Sequence, residues 1–389
     1  MKAKILETIN RIEAPDAAAM DAALSRQAAL AKPPGSLGGL EDISVRMAGI
    51  TGRLFNEINR SCVAVFCADN GVAEEGVSSA PQSVTMAQTV NFARRLTGVG
   101  VLAESFGSDL LIVDMGVKHP IPAELYDKVP LWNTRRIIDR KSRPGTDNIA
   151  KGPAMSREEA MRCIEVGIEM ADAVKNAGYD ILGIGEMGIG NTTTSAAVLS
   201  AVTGAGSDET CGKGGGINDK SFVRKKEIVD EVSADWRAKG GLLAVLGEAR
   251  DRGESPIDDM VGILASMGGF DICAMAGAFI GAAANKIPVV IDGYISVVAA
   301  LAAYVMAPKS AGYMFASHKS WEKGYELAVD ALGLKPFLEL GMRLGEGSGC
   351  PIAFQVIKGA CDVMRNMATF EEAEINDDYL EEIREGDCF

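Results

Sequence analysis

Short apolar runs that end in an acidic or polar residue beside glycine recur along this chain, and this pattern restricts its fold most strongly. "CVAVFCADNG" ends at Asp69 to Gly71, "DLLIVDMG" at Asp114 to Gly116, and "DILGIGEMG" at Glu186 to Gly188. "IPVVIDGY" and "AGYMFASHKS" repeat the pattern further along. Because helix-like segments separate these apolar runs, the pattern indicates a parallel sheet covered on both faces. We therefore predict an α/β fold with a ligand site beyond the carboxyl ends of its strands.

The two ends of the chain have a different, helical pattern. Ile5, Ile9 and Ile12 have helical spacing, and the alanine-rich "DAAAMDAALSRQAALA" follows them. The last fifty residues, which include "QVIKGACDVMRNMATFEEAEI", also have helical character. We predict a large α/β domain over residues 30–330 and a small helical domain built from residues 1–29 and 331–389.

The charge balance restricts the partners of this protein. The 389 residues include 39 Lys and Arg against 53 Asp and Glu, a net charge of -14. Such an acidic surface repels nucleic-acid phosphates and anionic lipid, so we expect no nucleic-acid and no membrane partner. A local basic pocket for one small phosphate is compatible with this balance.

Cysteine usage and the N-terminus indicate a cytoplasmic protein. The eight cysteines are scattered without a CxxC pair, which is typical of buried or free thiols in a reducing compartment. The chain has only two histidines, so it offers few residues for a metal site. The N-terminus lacks the apolar core of a signal peptide. Residues 287–306 have the length of a membrane span, but Asp292 and Gly293 interrupt them. We interpret this segment as a core strand, a turn and a helix.

"GIGEMGIGNTTTSAAVLS", residues 183–200, predicts a strand, a glycine-rich turn and a helix that begins near Asn191. The free amides at such a helix start, with the helix dipole, form an anion site, although a simple capped helix fits this stretch equally well. "GIGEMG" also matches the dinucleotide fingerprint, which would indicate an NAD-dependent oxidoreductase. That alternative is the poorer one, because Glu186 would meet the pyrophosphate with a negative charge. Glu186 is better suited to accept hydrogen bonds from ribose hydroxyls.

Three further stretches hold candidate ligand-binding residues. "GKGGGINDKSFVRKKEIV" has a glycine loop before Arg224, Lys225 and Lys226, which form either a phosphate clamp or a solvated helix face. "ADNGVAEEGVSSAPQSVT" contains three candidate acids, Asp69, Glu74 and Glu75, but on their spacing alone an ordinary surface loop is the preferred interpretation. "GMRLGEGSG" surrounds one acid, Glu346, with four glycines, and such flexible backbone suits a carboxylate that approaches a ligand closely.

These stretches together resemble the nicotinate-nucleotide–dimethylbenzimidazole phosphoribosyltransferase family from Lys32 to about Gly349. The motifs that carry the resemblance are "KPPGSLGGLE", "ADNGVAEEGVSSAPQSVT", "GEMGIGNTTTSAA", "GKGGGINDKSFVRKK", "VVIDGYIS", "SHKS" and "GMRLGEGSG". The resemblance implies a Rossmann-like domain, a small helical domain from both termini, and a homodimer whose neighbouring subunit contributes to the site. It implies transfer of phosphoribose from nicotinate mononucleotide to a lower-ligand base in cobalamin or cobamide nucleotide-loop assembly. The products are an α-riboside 5'-phosphate and nicotinate, and no metal or other cofactor is implied.

The resemblance also assigns roles to single residues. It implies that Glu346 is the catalytic base, which takes the proton of the incoming acceptor. Inversion from a β-nucleotide to an α-product implies direct displacement without a covalent enzyme intermediate. On the nucleotide side, the matching residues are Glu186, Gly188, Gly190, Asn191, Lys225 and Ser320. On the acceptor side, the corresponding positions are Ser79, Ala80, Ala87, Gln88 and Leu344.

This chain departs from the family pattern mainly around the acceptor. Asn70 replaces a histidine, Ala80 replaces the usual aromatic residue, and residues 321–325 read "WEKGY" for "AEPGH". Ala87 stands where a base-contacting glutamine is expected, with Gln88 one place on. Our hypothesis is an acceptor other than 5,6-dimethylbenzimidazole: a related benzimidazole, a purine such as adenine, or a phenol.

Two questions stay open on the sequence alone. The altered acceptor loop is also compatible with a ligand-binding partner subunit that forms a heterodimer with a paralogue and needs it for activity. Asp292 and His318 follow predicted strands, where a structural hydrogen bond is the default interpretation.

Overall fold

A seven-stranded parallel sheet forms the centre of the described part of the chain, which confirms the predicted α/β fold. The structure, a computed structural model, describes residues 1–130, 135–251 and 256–380. Its strands are β1 (Ser61–Ala68), β2 (Asp109–Gly116), β3 (Tyr126–Asp127), β4 (Ile137–Asp139), β5 (Ile181–Met187), β6 (Val289–Ile291) and β7 (Met314–Ala316). They are ordered β3-β4-β2-β1-β5-β6-β7 across the sheet.

Strand β1 lies at the middle of the sheet, and all eight of its residues are buried. It pairs in parallel with β2 on one side and with β5 on the other, so that Phe66 lies beside Glu186 and Cys67 beside Asp114. Because neighbouring side chains of a strand point to opposite faces, complete burial means that both faces are covered. This arrangement explains the unbroken apolar run of the sequence.

Helices connect the strands and cover the sheet. They are α1 (Lys2–Asn10), α2 (Ala17–Ala29), α3 (Gly39–Thr51), α4 (Ser83–Arg94), α5 (Gly98–Phe106), α6 (Arg157–Asn176), α7 (Asn191–Thr203), α8 (Ser207–Thr210), α9 (Asp219–Val232), α10 (Ala234–Arg237), α11 (Leu242–Asp251), α12 (Ile257–Met267), α13 (Phe270–Ala284), α14 (Tyr294–Met306), α15 (Tyr325–Ala331) and α16 (Gly349–Asn366). Helix α13 packs on β1, β2 and β5, whereas α16 packs on β1, β5 and β6. Short 3-10 turns occupy Gly71–Glu75, Ala123–Leu125, Pro308–Tyr313 and Asp378–Leu380.

The apolar segment 287–306 is part of the core, as its sequence indicates. Strand β6 is followed by Asp292 and Gly293, and α14 then begins at Tyr294. Among the described residues, no helix is long and apolar enough to cross a membrane. The seven cysteines in the described part of the chain are buried and form no disulfides.

The chain termini pack on different parts of the structure. Helix α1 contacts α6 and α13, whereas α2 and α3 pack on each other and on α16. The helical prediction for the last fifty residues holds for α16, but the described chain after Asn366 consists of turns and one short 3-10 helix. Residues 381–389 lie outside the described part. The division into a domain of residues 30–330 and a helical domain of residues 1–29 and 331–389 stays a prediction.

Candidate active site

A cleft of about 300 Å³ opens at the carboxyl ends of β5, β6 and β7. The parallel sheet explains this position, because the polar residues that follow its strands gather along one edge. Most of the predicted site residues line the cleft: Ser79, Ala80, Gln88, Glu186, Gly188, Gly190, Asn191, Ser320, Leu344 and Glu346. Asp292 and His318 line it as well.

Glu346 lies in a loop with an unusual backbone. Gly345, Glu346 and Gly347 have φ angles of 84°, 66° and 87°, so three consecutive residues adopt the left-handed conformation. A Cβ atom on Gly345 would lie 2.5 Å from Oε1 of Glu186, and one on Gly347 would lie 2.7 Å from Cγ1 of Val63. The glycines around Glu346 therefore allow both the backbone conformation and the close approach to β5.

The Glu346 carboxylate is held between two helices. Its Oε2 accepts a hydrogen bond from the amide of Val99 at 3.3 Å, in the first turn of α5. Its Oε1 lies 3.4 Å from Nε2 of Gln88, a donor on α4. The residue is only 5% exposed, and burial raises the pKa of its carboxyl group, which the amides of Val99 and Gly98 partly oppose. A partly desolvated carboxylate of this kind is suited to accept a proton from a bound ligand.

Glu186, at the end of β5, is the second acid of the cleft. Its Oε2 accepts a hydrogen bond from Nδ2 of Asn191, and its Oε1 lies 3.4 Å from the amide of Glu346. Burial, followed by the nearby charge of Asp271, raises the pKa of Glu186 to about 8. The raised pKa favours the protonated form of Glu186 more than in an ordinary glutamate, and this form can donate as well as accept a hydrogen bond.

Asp271 is a buried acid that the sequence analysis missed. It lies in the first turn of α13, and its Oδ2 accepts from Nδ2 of Asn191 at 3.1 Å. Burial raises its pKa to about 6, while hydrogen bonds from Asn191, Ile272 and Asn70 oppose the shift. Asn191 thus donates to both Glu186 and Asp271, and this fixes the orientation of its amide. In the sequence, the Gly268-Gly269 pair before Asp271 could have indicated a site here, because glycines before a helix start let a ligand approach the backbone closely.

Lys225 packs beside the start of α7, where the sequence predicts a phosphate-binding site. Nζ of Lys225 donates to Oγ1 of Thr192 at 3.0 Å and to the carbonyl oxygen of Gly212 at 2.9 Å. Lys225 is buried, and burial lowers the pKa of its ammonium group. Its two neighbours in sequence point elsewhere: Arg224 pairs with Glu75, and Lys226 pairs with Asp208. Of the three basic residues, Lys225 is therefore the one that faces the cleft region, although it does not line the cleft directly.

The acceptor-side residues do not all reach the cleft. Ser79, Ala80, Gln88 and Leu344 line it, but Ala87 is exposed on α4 and lies outside it. Each residue turns an α-helix by about 100°, so Gln88 faces Glu346 while Ala87 faces away. The glutamine of this chain stands one position later than in the family pattern, and in this position it lies in the wall of the cleft.

Two candidate acids of the loop after β1, Asp69 and Glu75, make contacts that stabilise the fold. Asp69 is buried and accepts hydrogen bonds from Oγ1 of Thr85 and from the amide of Lys118. Glu75 accepts from Asn148 and pairs with Arg224. Neither acid lines the cleft, in agreement with a loop of structural character.

The dinucleotide fingerprint is explained by packing. Gly183 and Gly185 lie within β5, not in a phosphate-binding turn. Added Cβ atoms there would lie 2.5 Å from Cβ of Cys350 and 2.5 Å from the carbonyl oxygen of Glu346, respectively. These glycines make room for α16 and the Glu346 loop, so the motif gives no support to an NAD-dependent enzyme.

The cleft holds two buried acids, Glu346 and Glu186, and lies beside the start of α7 on one rim of a parallel sheet. Fold and site together define an α/β protein of the class that binds a small ligand beyond the carboxyl ends of a parallel sheet. The family model described as "Phosphoribosyltransferase" matches residues 12–375. The chain belongs to the nicotinate-nucleotide–dimethylbenzimidazole phosphoribosyltransferase family, and it is a phosphoribosyltransferase.

Several named relatives support this membership. A Clostridium perfringens (strain ATCC 13124) nicotinate-nucleotide–dimethylbenzimidazole phosphoribosyltransferase is 50% identical, with 98% of each chain covered. A Clostridium tetani protein of the same name is 43% identical over 97% of each chain. The crystal structure of CobT from Thermus thermophilus is 34% identical and superposes with a TM-score of 0.81, covering 92% of this chain and 99% of the other.

Proposed function

We propose that this protein transfers the phosphoribosyl group of nicotinate mononucleotide to an aromatic acceptor, as the names of its relatives indicate for dimethylbenzimidazole. The products would be an α-riboside 5'-phosphate, used in cobalamin or cobamide nucleotide-loop assembly, and nicotinate. The observation that carries the proposal is the buried carboxylate of Glu346, which lines the same cleft as Asn191 and Thr192 at the start of α7; Lys225 lies behind this wall and donates to Thr192.

In this proposal, the nucleotide binds along β5 and α7. The phosphate lies at the start of α7 and near the ammonium group of Lys225, where the helix dipole and the positive charge favour an anion. The ribose lies against Glu186 and Asn191, which supply hydrogen-bonding groups for its hydroxyls. Gly188 and Gly190 let this turn pack against the end of β1, because Cβ atoms would lie 2.3 Å from the carbonyl oxygen of Ala68 and 3.3 Å from Cβ of Asn70, respectively.

The chemical step is a direct displacement at the anomeric carbon. A ring nitrogen of the acceptor forms the new C–N bond as the bond to nicotinate breaks, and the electron pair of that bond returns to the pyridine nitrogen. Glu346 takes the proton from the other nitrogen of the acceptor, so that no positive charge accumulates on the acceptor ring. Attack opposite to the leaving group converts the β-nucleotide into the α-product.

The residues at the acceptor end of the cleft support an acceptor other than 5,6-dimethylbenzimidazole. The small side chain of Ala80 lines this end, and Leu344 supplies an apolar surface. We propose another benzimidazole, a purine such as adenine, or a phenol as the preferred acceptor. A phenol would attack through its oxygen, and Glu346 would remove the hydroxyl proton.

We further propose that a second chain covers the mouth of the cleft. Leu344, which lines the cleft, is 59% exposed. Trp321, between the lining residues Ser320 and Glu322, is 75% exposed, and exposed apolar side chains of this kind are typical of interfaces. The amide of Trp321 donates to the carbonyl oxygen of Met342, which links two of these segments. The partner would be a second copy of this chain or a paralogue. Sedimentation of the purified chain distinguishes these two partners. A dimer of the purified chain would support a second copy, whereas a monomer that dimerises only when a paralogue is added would support the paralogue.

A mass-resolved product assay tests the reaction itself. Nicotinate mononucleotide would be offered with 5,6-dimethylbenzimidazole, benzimidazole, adenine, phenol and p-cresol in competition. We expect an α-riboside phosphate and an equal amount of nicotinate, and the most abundant product identifies the preferred acceptor. Absence of any product would contradict transfer by the isolated chain. A preference for 5,6-dimethylbenzimidazole over all the others would contradict the acceptor proposal.

A further inference from the structure

Asp292 connects the end of β6 to the loop that carries Glu346. Its Oδ2 accepts a hydrogen bond from the amide of Gly347 at 3.0 Å, and its Oδ1 accepts one from the amide of Gly349 at 2.7 Å. The first of these amides belongs to the residue directly after Glu346. Asp292 is 1% exposed, so both hydrogen bonds lie in a desolvated environment, where they are stronger than in water.

The loop needs such support because of its backbone conformation. Residues 345 to 347 all have positive φ angles, and Glu346 is not a glycine, so its left-handed conformation costs free energy. The amide of Glu346 lies 3.4 Å from Glu186, and the next amide is bound by Asp292. The backbone on both sides of the Glu346 side chain is therefore held by a carboxylate from a strand end.

The surroundings of Asp292 favour a clamp of the backbone over an ion pair. The nearest basic group, Nδ1 of His318, lies 3.9 Å from Oδ1 of Asp292. Burial lowers the pKa of His318 to about 4, so its imidazole is neutral near pH 7. Oγ of Ser317 donates to the carbonyl oxygen of Asp292 at 3.0 Å, and a Cβ atom on Gly349 would lie 2.3 Å from Nδ1 of His318. Asp292 is thus fixed tightly and directs both oxygens to backbone amides.

We propose that Asp292 is a positioning residue for Glu346: it holds the amides of Gly347 and Gly349, and thereby aims the Glu346 carboxylate at the acceptor. This inference rests on the transfer reaction proposed above. Asp292 does not exchange a proton with either substrate in this role. Its effect acts on the chemical step, because a misplacement of the base by about 1 Å can lower the rate roughly 100-fold.

The test is Asp292→Asn, compared with Asp114→Asn as a matched control. Asp114 is also a buried residue near a strand end, and its Oδ1 accepts from the amides of Gly116 and Val117 at 3.0 and 2.8 Å, but it does not line the cleft. Its Oδ2 additionally pairs with Lys141 and accepts from the hydroxyl of Tyr126, so this substitution perturbs the fold at least as much as Asp292→Asn does. Per folded enzyme, we expect Asp292→Asn to lower kcat roughly 100-fold, with the KM for nicotinate mononucleotide within about threefold of wild type. Asp114→Asn should keep both kcat and KM.

Other outcomes would overturn the inference. An unchanged kcat, a loss confined to nucleotide KM, or an equal loss in Asp114→Asn would each exclude a positioning role. If Asp292→Asn does not fold, hydrogen exchange of the wild type decides: the amides of Gly347 and Gly349 should exchange slowly, and rapid exchange would exclude the clamp. An inactive wild type would instead contradict the proposed reaction.

Discussion

The amide of Glu346 lies 3.4 Å from Oε1 of Glu186, although the two residues are 160 positions apart in the chain. One acid lies at the end of a central strand and the other in a glycine-rich loop that packs on this strand. Their side chains have different surroundings: Glu186 shares Asn191 with Asp271, whereas Glu346 faces the start of α5 and Gln88. This difference suits a ribose-binding acid and a separate base for the acceptor.

Replacement of Lys225 by methionine should weaken nucleotide binding. Methionine keeps the apolar stem but removes the ammonium group, so we expect the KM for nicotinate mononucleotide to rise roughly 10- to 100-fold. Lys226→Met is the matched control, because Lys226 pairs with Asp208 on the surface. Steady-state kinetics with varied nucleotide measures the effect. Equal KM values in the two variants would show that Lys225 does not bind the phosphate.

Gln88 and Ala87 provide a second matched pair. Gln88→Ala removes the donor beside Oε1 of Glu346, and we expect kcat/KM for the acceptor to fall roughly 5- to 10-fold, about 1 kcal/mol. Ala87→Gln should change this value less than twofold, because Ala87 is exposed outside the cleft. Kinetics with varied acceptor distinguish the two positions. A larger effect from Ala87→Gln would indicate that residue 87 contacts the acceptor.

Protein stability should fall as pH rises from about 5 to 8. Glu186, Asp292 and Asp271 have pKa values raised to about 8, 7 and 6, so the folded protein binds more protons than the unfolded chain in this window. Excess protons on the folded state make the free energy of unfolding decrease with increasing pH. Urea unfolding of the ligand-free protein at several pH values measures this slope.

The variant Glu186→Gln isolates one contribution to that slope. Glutamine does not titrate, so the free energy of unfolding should depend less on pH above about 6 than in wild type, by of the order of 1 kcal/mol in total. Glu74→Gln is a suitable control, since Glu74 is largely exposed and lies outside the cleft. An identical slope in wild type and Glu186→Gln would mean that the folded Glu186 has an ordinary pKa.

Much of this fold is predictable because parallel strands carry a strong pattern. The runs that became β1, β2, β5, β6 and β7 are apolar on both faces, and the polar residues after them gather at one rim. Strands β3 and β4 contain two and three residues and lie in the polar stretches "LYDK" and "RRIIDR", so no extended apolar run marks them. The helical character assigned to the last fifty residues was too broad, since only α16 is a regular helix in the described part of that segment.

The site was predictable where residues follow strands or glycine turns, and less so elsewhere. Asp271 was not predicted as a site residue because it lies at the start of a helix inside an apolar segment and contacts the site through the side chains of Asn191 and Asn70. The choice among Arg224, Lys225 and Lys226 depends on which side of α9 faces α7, and their spacing alone does not define this side. Gln88 and Ala87 differ only in helix rotation, which a comparison of motifs by position cannot resolve.

Comparison of wild type with Glu346→Gln tests the role of Glu346 most directly. Glutamine keeps the size of the side chain but cannot take a proton, so product formation from nicotinate mononucleotide and the preferred acceptor should fall roughly 100- to 10,000-fold. Binding of nicotinate mononucleotide, measured by calorimetry on the same samples, should stay within about threefold. Glu346→Gln that forms the α-riboside phosphate at the wild-type rate would contradict Glu346 as the base.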